Sequence, residues 1–122
     1  MLTEANAKYL INCQDGGNNV ERATISLILA VTASKSGEAA LFITSDAAQL
    51  CIAGGADGLA AEGYEAVGDL LRAFLANGGK IWLCPACAKA KGIGPEQLVA
   101  GAEIAGAPKT MAFLASGAKL LA

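Results

Sequence analysis

Apolar and polar positions along this chain switch repeatedly between a strand-like run and a helical spacing, which predicts strands and helices in alternation. Lys8 to Cys13 is a short apolar run centred on Tyr9-Leu10-Ile11 and predicts a first strand. It ends in Gln14-Asp15-Gly16-Gly17-Asn18-Asn19, a cluster of turn formers in which Asn18 or Asn19 can cap a following helix. From Val20 to Ser34, Ala23, Leu27, Ala30 and Val31 recur at helical spacing, Ile28 widens the stripe, and Ser36-Gly37 closes the helix. Ala39 to Thr44 is almost continuously apolar, the pattern of a parallel strand covered on both faces.

Ser45 or Asp46 is placed to cap a short helix over Ala47 to Ile52, and a glycine-rich loop runs from Ala53 to Gly63. A helix from Tyr64 to Ala76 carries Val67, Leu70, Leu71 and Phe74 on one face, and Asn77-Gly78-Gly79 stops it. Ile81-Trp82-Leu83 is the third strand. Beyond it the pattern predicts a helical turn at Pro95 to Leu98, a brief strand at Ala102 to Ile104, a helix over Pro108 to Ala115 and a last strand over Ala118 to Leu121. Strands alternating with helices imply right-handed crossovers and an open, mostly parallel five-stranded sheet with helices on both faces, a three-layer α/β/α fold. No linker, repeat or low-complexity stretch divides residues 1–122, which read as one domain.

Sheets of this class place ligand sites beyond the carboxyl ends of their strands. Three predicted strand ends carry chemically able residues: Cys13-Gln14-Asp15, Thr44-Ser45-Asp46 and Cys84-Pro85-Ala86-Cys87. Cys13, Asp15 and Ser45 are therefore read as the edge of a site. For Cys13 the core is an equal alternative; Asp15 and Asp46 also serve as turn and capping residues, and Cys51 sits among core positions. Cys84 is the strongest candidate. Pro85 suits the first turn of a helix, which puts Cys84 at its N-cap, where free N–H groups favour a thiolate. Cys87 follows on the same side of that turn, placed to form a disulfide with Cys84, to receive sulfur from it, or to pack beneath it.

Composition narrows the chemistry. Hydrophobic residues make up 54 % of the chain and charged residues 16 %, an apolar surplus that points to a subunit contact as readily as to a larger core. The net charge of −2 with no basic run excludes a nucleic-acid footprint. No apolar stretch is long enough for a membrane span, and Met1 to Asn6 lacks the basic start and apolar block of a secretory signal, so a cytoplasmic protein is expected. In a reducing compartment its 4 cysteines are expected as thiols rather than structural disulfides. The absence of histidine removes a Cys–His hydrolase and weakens a zinc reading; no metal and no cofactor is expected. A thioredoxin fold carries its Cys-x-x-Cys pair earlier in the chain, and the glycines at Gly16-Gly17 and Gly54-Gly55 match no phosphate-binding pattern.

Trp82-Leu83-Cys84-Pro85-Ala86-Cys87-Ala88-Lys89-Ala90-Lys91-Gly92-Ile93, followed by Leu98-Val99-Ala100-Gly101-Ala102-Glu103-Ile104-Ala105-Gly106, resembles the DsrE/DsrF-like family of small sulfur-relay proteins. The resemblance extends over nearly the whole chain. It implies a parallel α/β sheet, assembly as a homo-oligomer (a trimer or hexamer), and sulfur donor and acceptor proteins as partners. In sulfur-transferring members one cysteine at the end of the third strand carries sulfur as a persulfide; the matching residue here is Cys84. Cys87 matches a second cysteine found in only some relatives, and no role transfers to it. The leading expectation is thus a sulfur carrier or sulfurtransferase acting through Cys84. The alternatives are a thiol–disulfide redox or sensor protein using Cys84 and Cys87, and an oligomeric module holding a small molecule near Asp15 and Ser45.

Overall fold

The computed structural model describes residues 7–121, so the reading of Met1 to Asn6 lies outside the described residues. Five strands form one parallel sheet: β1 (Lys8–Cys13), β2 (Glu38–Ile43), β3 (Lys80–Leu83), β4 (Ala102–Ile104) and β5 (Lys119–Leu121), in the order β4-β3-β2-β1-β5. The helices are α1 (Val20–Ser36), α2 (Val67–Ala76), α3 (Pro85–Ala90) and α4 (Ala107–Ala115).

That strand order dictates the layers. The chain steps in one direction from β1 to β2, β3 and β4, so right-handed crossovers put α1, α2 and α3 on one face. The last connection runs back across the whole sheet to β5, and the same handedness sends α4 to the other face. The packing agrees. Ile11, Cys13, Leu41, Ile43, Ile81 and Leu83 meet α1 and α2 in the main core, whereas Leu10, Ala40 and Trp82 meet Phe113 and Leu114 of α4. Trp82 packs edge-on to Phe113, their ring centroids 5.4 Å apart.

α1 starts where Asn19 accepts a hydrogen bond from the Arg22 N–H at 3.2 Å, and it ends as the Gly37 N–H reaches the Ala33 carbonyl at 3.0 Å. Its buried stripe includes Ala23, Leu27, Ala30 and Val31, the residues that the spacing selects. α2 buries Val67, Leu70, Leu71 and Phe74, each side chain worth about 1.5–3 kcal/mol once removed from water.

Two elements differ from the sequence reading. The helix predicted from Tyr64 begins at Val67, because residues 64–66 are drawn into the preceding loop, where the Tyr64 hydroxyl donates to Glu21 on α1 at 3.1 Å. The helix predicted over Ala47 to Ile52 is a 3-10 segment over Ser45–Cys51. Thr44 is its N-cap residue, and neither Ser45 nor Asp46 caps it with a side chain.

Candidate functional site

Register aligns the strand ends. Cys13 pairs with Ile43, Ile43 with Leu83, and Leu83 with Ile104. The ladder runs one residue further: the N–H groups of Thr44, Cys84 and Ala105 donate to the carbonyls of Cys13 (3.1 Å), Ile43 (2.9 Å) and Leu83 (3.0 Å). Cys84 therefore leaves the sheet between the ends of β2 and β4. Pro85 then opens α3, and the Cys84 carbonyl accepts the Ala88 N–H at 2.9 Å.

Cys84 is the N-cap residue of α3 and is half-buried. Although no full cap hydrogen bond closes on its sulfur, the thiol is held below its ordinary value. The largest cause is the Cys87 backbone N–H aimed at it. Partial burial opposes the effect, while the Cys87 thiol and the Ala86 N–H add to it. Each donor favours the anion, so thiolate chemistry is available at this position.

Cys87 is also half-buried and lies one helical turn into α3, on the side of Cys84. Its own sulfur accepts the backbone N–H of Ser45 at 3.2 Å. Ser45 has a φ of 55°, the one positive value at a non-glycine position among the described residues. Lys91 at the end of α3 lies 3.8 Å from Asp46, so the segment after β2 meets α3 at a second point.

Cys13, Cys51 and Asp15 lie apart from this pair. Cys13 is fully buried in the main core and offers no accessible edge; its thiol turns back to the Asp15 carbonyl at 3.6 Å. Burial pushes it up to about 11. Cys51 is buried in the same core, where burial pushes its thiol up to about 12. Asp15 accepts from the Asn18 side chain at 2.9 Å and lies 3.6 Å from Arg22, so it organises the turn before α1. A cleft of about 360 Å³ beside it is lined by Asn12, Gln14, Asp15, Arg22, Ile25 and Ser26, without Ser45 or a cysteine. Ser45 reaches the cysteine pair through its backbone.

Both buried thiols are raised, so folding favours their neutral forms, and the stability they contribute is complete below the unfolded value near 9.0. It is lost as pH rises toward 11 and 12. In urea unfolding the two buried thiols are expected to take away roughly 2–3 kcal/mol between about pH 8 and about pH 10, against an opposing gain from the lowered Cys84 thiol. Cys51→Ala should remove about half of that drop.

The sequence reading missed Gln49. Its side chain accepts the Gly17 N–H at 2.7 Å and donates to the Gly55 carbonyl at 3.1 Å, lashing two glycine loops to the segment that carries Ser45. A polar residue among Ala47, Ala48, Leu50 and Cys51 was the available signal.

With the cysteine at the end of β3 on a five-stranded parallel sheet, the family pattern can be placed. The DsrE/DsrF-like family matches residues 7–122. This chain belongs to the DsrE/DsrF-like family. An uncharacterized protein of Methanocaldococcus jannaschii, MJ0760, is 32 % identical over 114 residues, covering 93 % of this chain and 41 % of that protein. The chain thus spans about two fifths of the length of that curated relative. Among solved structures, the YchN protein from E. coli aligns over 97 % of this chain and 100 % of its own with a TM-score of 0.72 at 20 % identity. MTH1491 from Methanobacterium thermoautotrophicum, a protein of unknown function, covers 97 % and 98 % respectively with a TM-score of 0.63 at 12 % identity. At those identities the two structures share the fold of this DsrE/DsrF-like chain. No helix among the described residues is long and apolar enough to cross a membrane. The described residues contain no group of three or more Cys, Asp or Glu placed to hold a metal ion.

Proposed function

We propose that this DsrE/DsrF-like protein is a sulfur relay that carries sulfane sulfur as a persulfide on Cys84. The observation that carries the reading is the half-buried Cys84 at the β3–α3 junction, its thiol lowered chiefly by the Cys87 N–H. The Cys84 thiolate attacks the outer sulfur of a donor persulfide. A bond forms between Cys84 Sγ and that sulfur, the donor's sulfur–sulfur bond breaks, and the donor leaves as a thiolate. An acceptor thiolate then attacks the same outer sulfur and releases Cys84, so neither transfer needs an outside oxidant. Donor and acceptor are proteins inside the cell. Apolar residues left exposed on α1 (Ile25, Ile28 and Leu29), together with Met111 and Leu120, support assembly as a homo-oligomer, for which the family resemblance implies a trimer or hexamer.

Reduced protein incubated with a persulfide donor is expected to gain the mass of one sulfur atom, and Cys84→Ser to gain none. No addition to the wild type, or equal addition to both, would overturn the assignment. A thiol–disulfide role is the second reading, favoured by Cys87 standing one helical turn from Cys84. It predicts a reversible Cys84–Cys87 disulfide and no stable persulfide.

A further inference from the structure

We propose that the backbone amide of Ser45 is a positioning group that holds Cys87 as the resolving thiol for sulfur bound at Cys84. This rests on the sulfur-relay reading for its biological use, but the geometry stands apart from it. The Ser45 N–H at the end of β2 donates to Cys87 Sγ at 3.2 Å, and Cys87 stands one helical turn beyond Cys84, the N-cap residue of α3, so a group on one strand end fixes the sulfur that follows the other.

The local backbone is bent to make that contact. A residue leaving β2 with ordinary extended angles would not stand at φ 55°, a conformation that L-residues adopt at a cost because Cβ crowds the carbonyl. The surroundings hold it there. The Ala47 N–H is shared between the Thr44 carbonyl (3.1 Å) and the Gln14 carbonyl (3.2 Å), and Lys91 approaches Asp46. Gly16 packs so closely beneath this segment that an added Cβ would lie 2.6 Å from the Asp46 carbonyl oxygen. The Ser45 side chain makes no hydrogen bond recorded among the described residues, so what it contributes at this site is the N–H. Glycine at position 45 would retain both the φ and that donor, whereas a β-branched residue strongly disfavours the φ.

The step this arrangement serves begins from the Cys84 persulfide. Cys87, having lost its proton to solvent, attacks Cys84 Sγ. A Cys84–Cys87 sulfur–sulfur bond forms, the bond from Cys84 Sγ to the sulfane sulfur breaks, and hydrosulfide leaves with the electron pair. The two cysteine sulfurs are oxidised and the sulfane sulfur is reduced, so the step is balanced without an external oxidant. A small dithiol returns the pair to its reduced form. Cys87 would thus give the relay an outlet when no acceptor thiol is docked.

The closing reaction can be read without a persulfide. Dithiobis(nitrobenzoate) first captures Cys84 as a mixed disulfide, and attack by Cys87 on Cys84 Sγ then releases a second coloured thiolate. The first phase is expected to be the same in the wild type, Ser45→Ala, Ser45→Gly and Ser45→Val. The second phase should be unchanged in Ser45→Ala and Ser45→Gly, about tenfold slower in Ser45→Val, as expected for loss of one hydrogen bond to sulfur, and absent in Cys87→Ser. A wild-type second phase in Ser45→Val overturns the proposal, as does equal slowing of both phases. A slowed second phase in Ser45→Ala would assign the effect to the hydroxyl and also overturn it, and this comparison remains available should the valine variant not fold. Protein preloaded with a persulfide donor then reports on hydrosulfide release. Closure that depends on Ser45 as described, combined with no sulfur loading at all, would sink the relay reading and leave the positioning role intact.

Discussion

Native protein treated with iodoacetamide at neutral pH is expected to react first at Cys84, and Cys84→Ser should lower the initial rate about tenfold or more. The thiolate is the reacting species, and the Cys84 thiol is lowered, held down chiefly by the Cys87 N–H. Cys13 and Cys51 are fully buried and pushed up to about 11 and about 12, so they carry almost no thiolate at neutral pH and are shielded as well. The rate at Cys84 should reach half its maximum at a lower pH than the same thiol shows in the unfolded chain. Its donors exist only where β3 turns into α3. In strong urea, therefore, the midpoint should move up to the ordinary value and all 4 cysteines should label. Mass spectrometry of peptides after brief labelling separates the sites. A native midpoint equal to that in urea would remove the electrostatic basis for the proposed relay.

The second large effect concerns stability. Gly55→Ala is expected to destabilise the protein by about 3–5 kcal/mol, measured by urea unfolding. A Cβ at Gly55 would overlap the Gln49 carbonyl oxygen, with Ile52 Cγ1 at 2.8 Å and the Gln49 carbonyl carbon at 2.9 Å. Backbone cannot swing aside as a flexible side chain can, so the turn from Gln49 to Gly55 must open. That turn contains the hydrogen bond from the Gly55 N–H to the Ile52 carbonyl at 2.9 Å and the Gln49 side-chain contact with the Gly55 carbonyl. Gly58→Ala is the control. Gly58 has a φ of 77° and nothing within 4 Å of the added atom, so the cost there is conformational only, about 1 kcal/mol. Equal costs at the two positions would show that the turn tolerates the crowding.

Much of the fold can be read along the chain because its signals are local. The α1 stripe of Ala23, Leu27, Ala30 and Val31, the apolar β2 run and the three-residue β4 all appear where the spacing puts them. The elements that shift are those where a tertiary contact competes with propensity. Tyr64 to Ala66 have no bar to helix formation, yet the Tyr64–Glu21 hydrogen bond holds the tyrosine to α1. Ser45 has the residue type of a cap, yet its backbone serves Cys87 instead.

The candidate site divides in the same way. Pro85 after an apolar strand is sufficient to place Cys84 at a helix start, because a proline ring presets the first helical φ and lacks only an N–H that would be unpaired there. Whether Cys13 faced the core or the edge could not be decided by a strand's alternation alone: both faces of β1 are covered, and the side that α1 and α2 occupy follows from the order in which strands pair.

The sequence by itself determined the alternation of strands and helices, the family, and the cysteine at the third strand's end, since each depends on residues close together in the chain. Only the tertiary structure decided the order β4-β3-β2-β1-β5, the burial of Cys13 and Cys51, and the meeting of Ser45 with Cys87. Those depend on residues 42 positions apart, as Ser45 and Cys87 are, being brought together by parallel pairing. No local propensity encodes such a contact, because its free energy comes from burying the whole sheet between its helices.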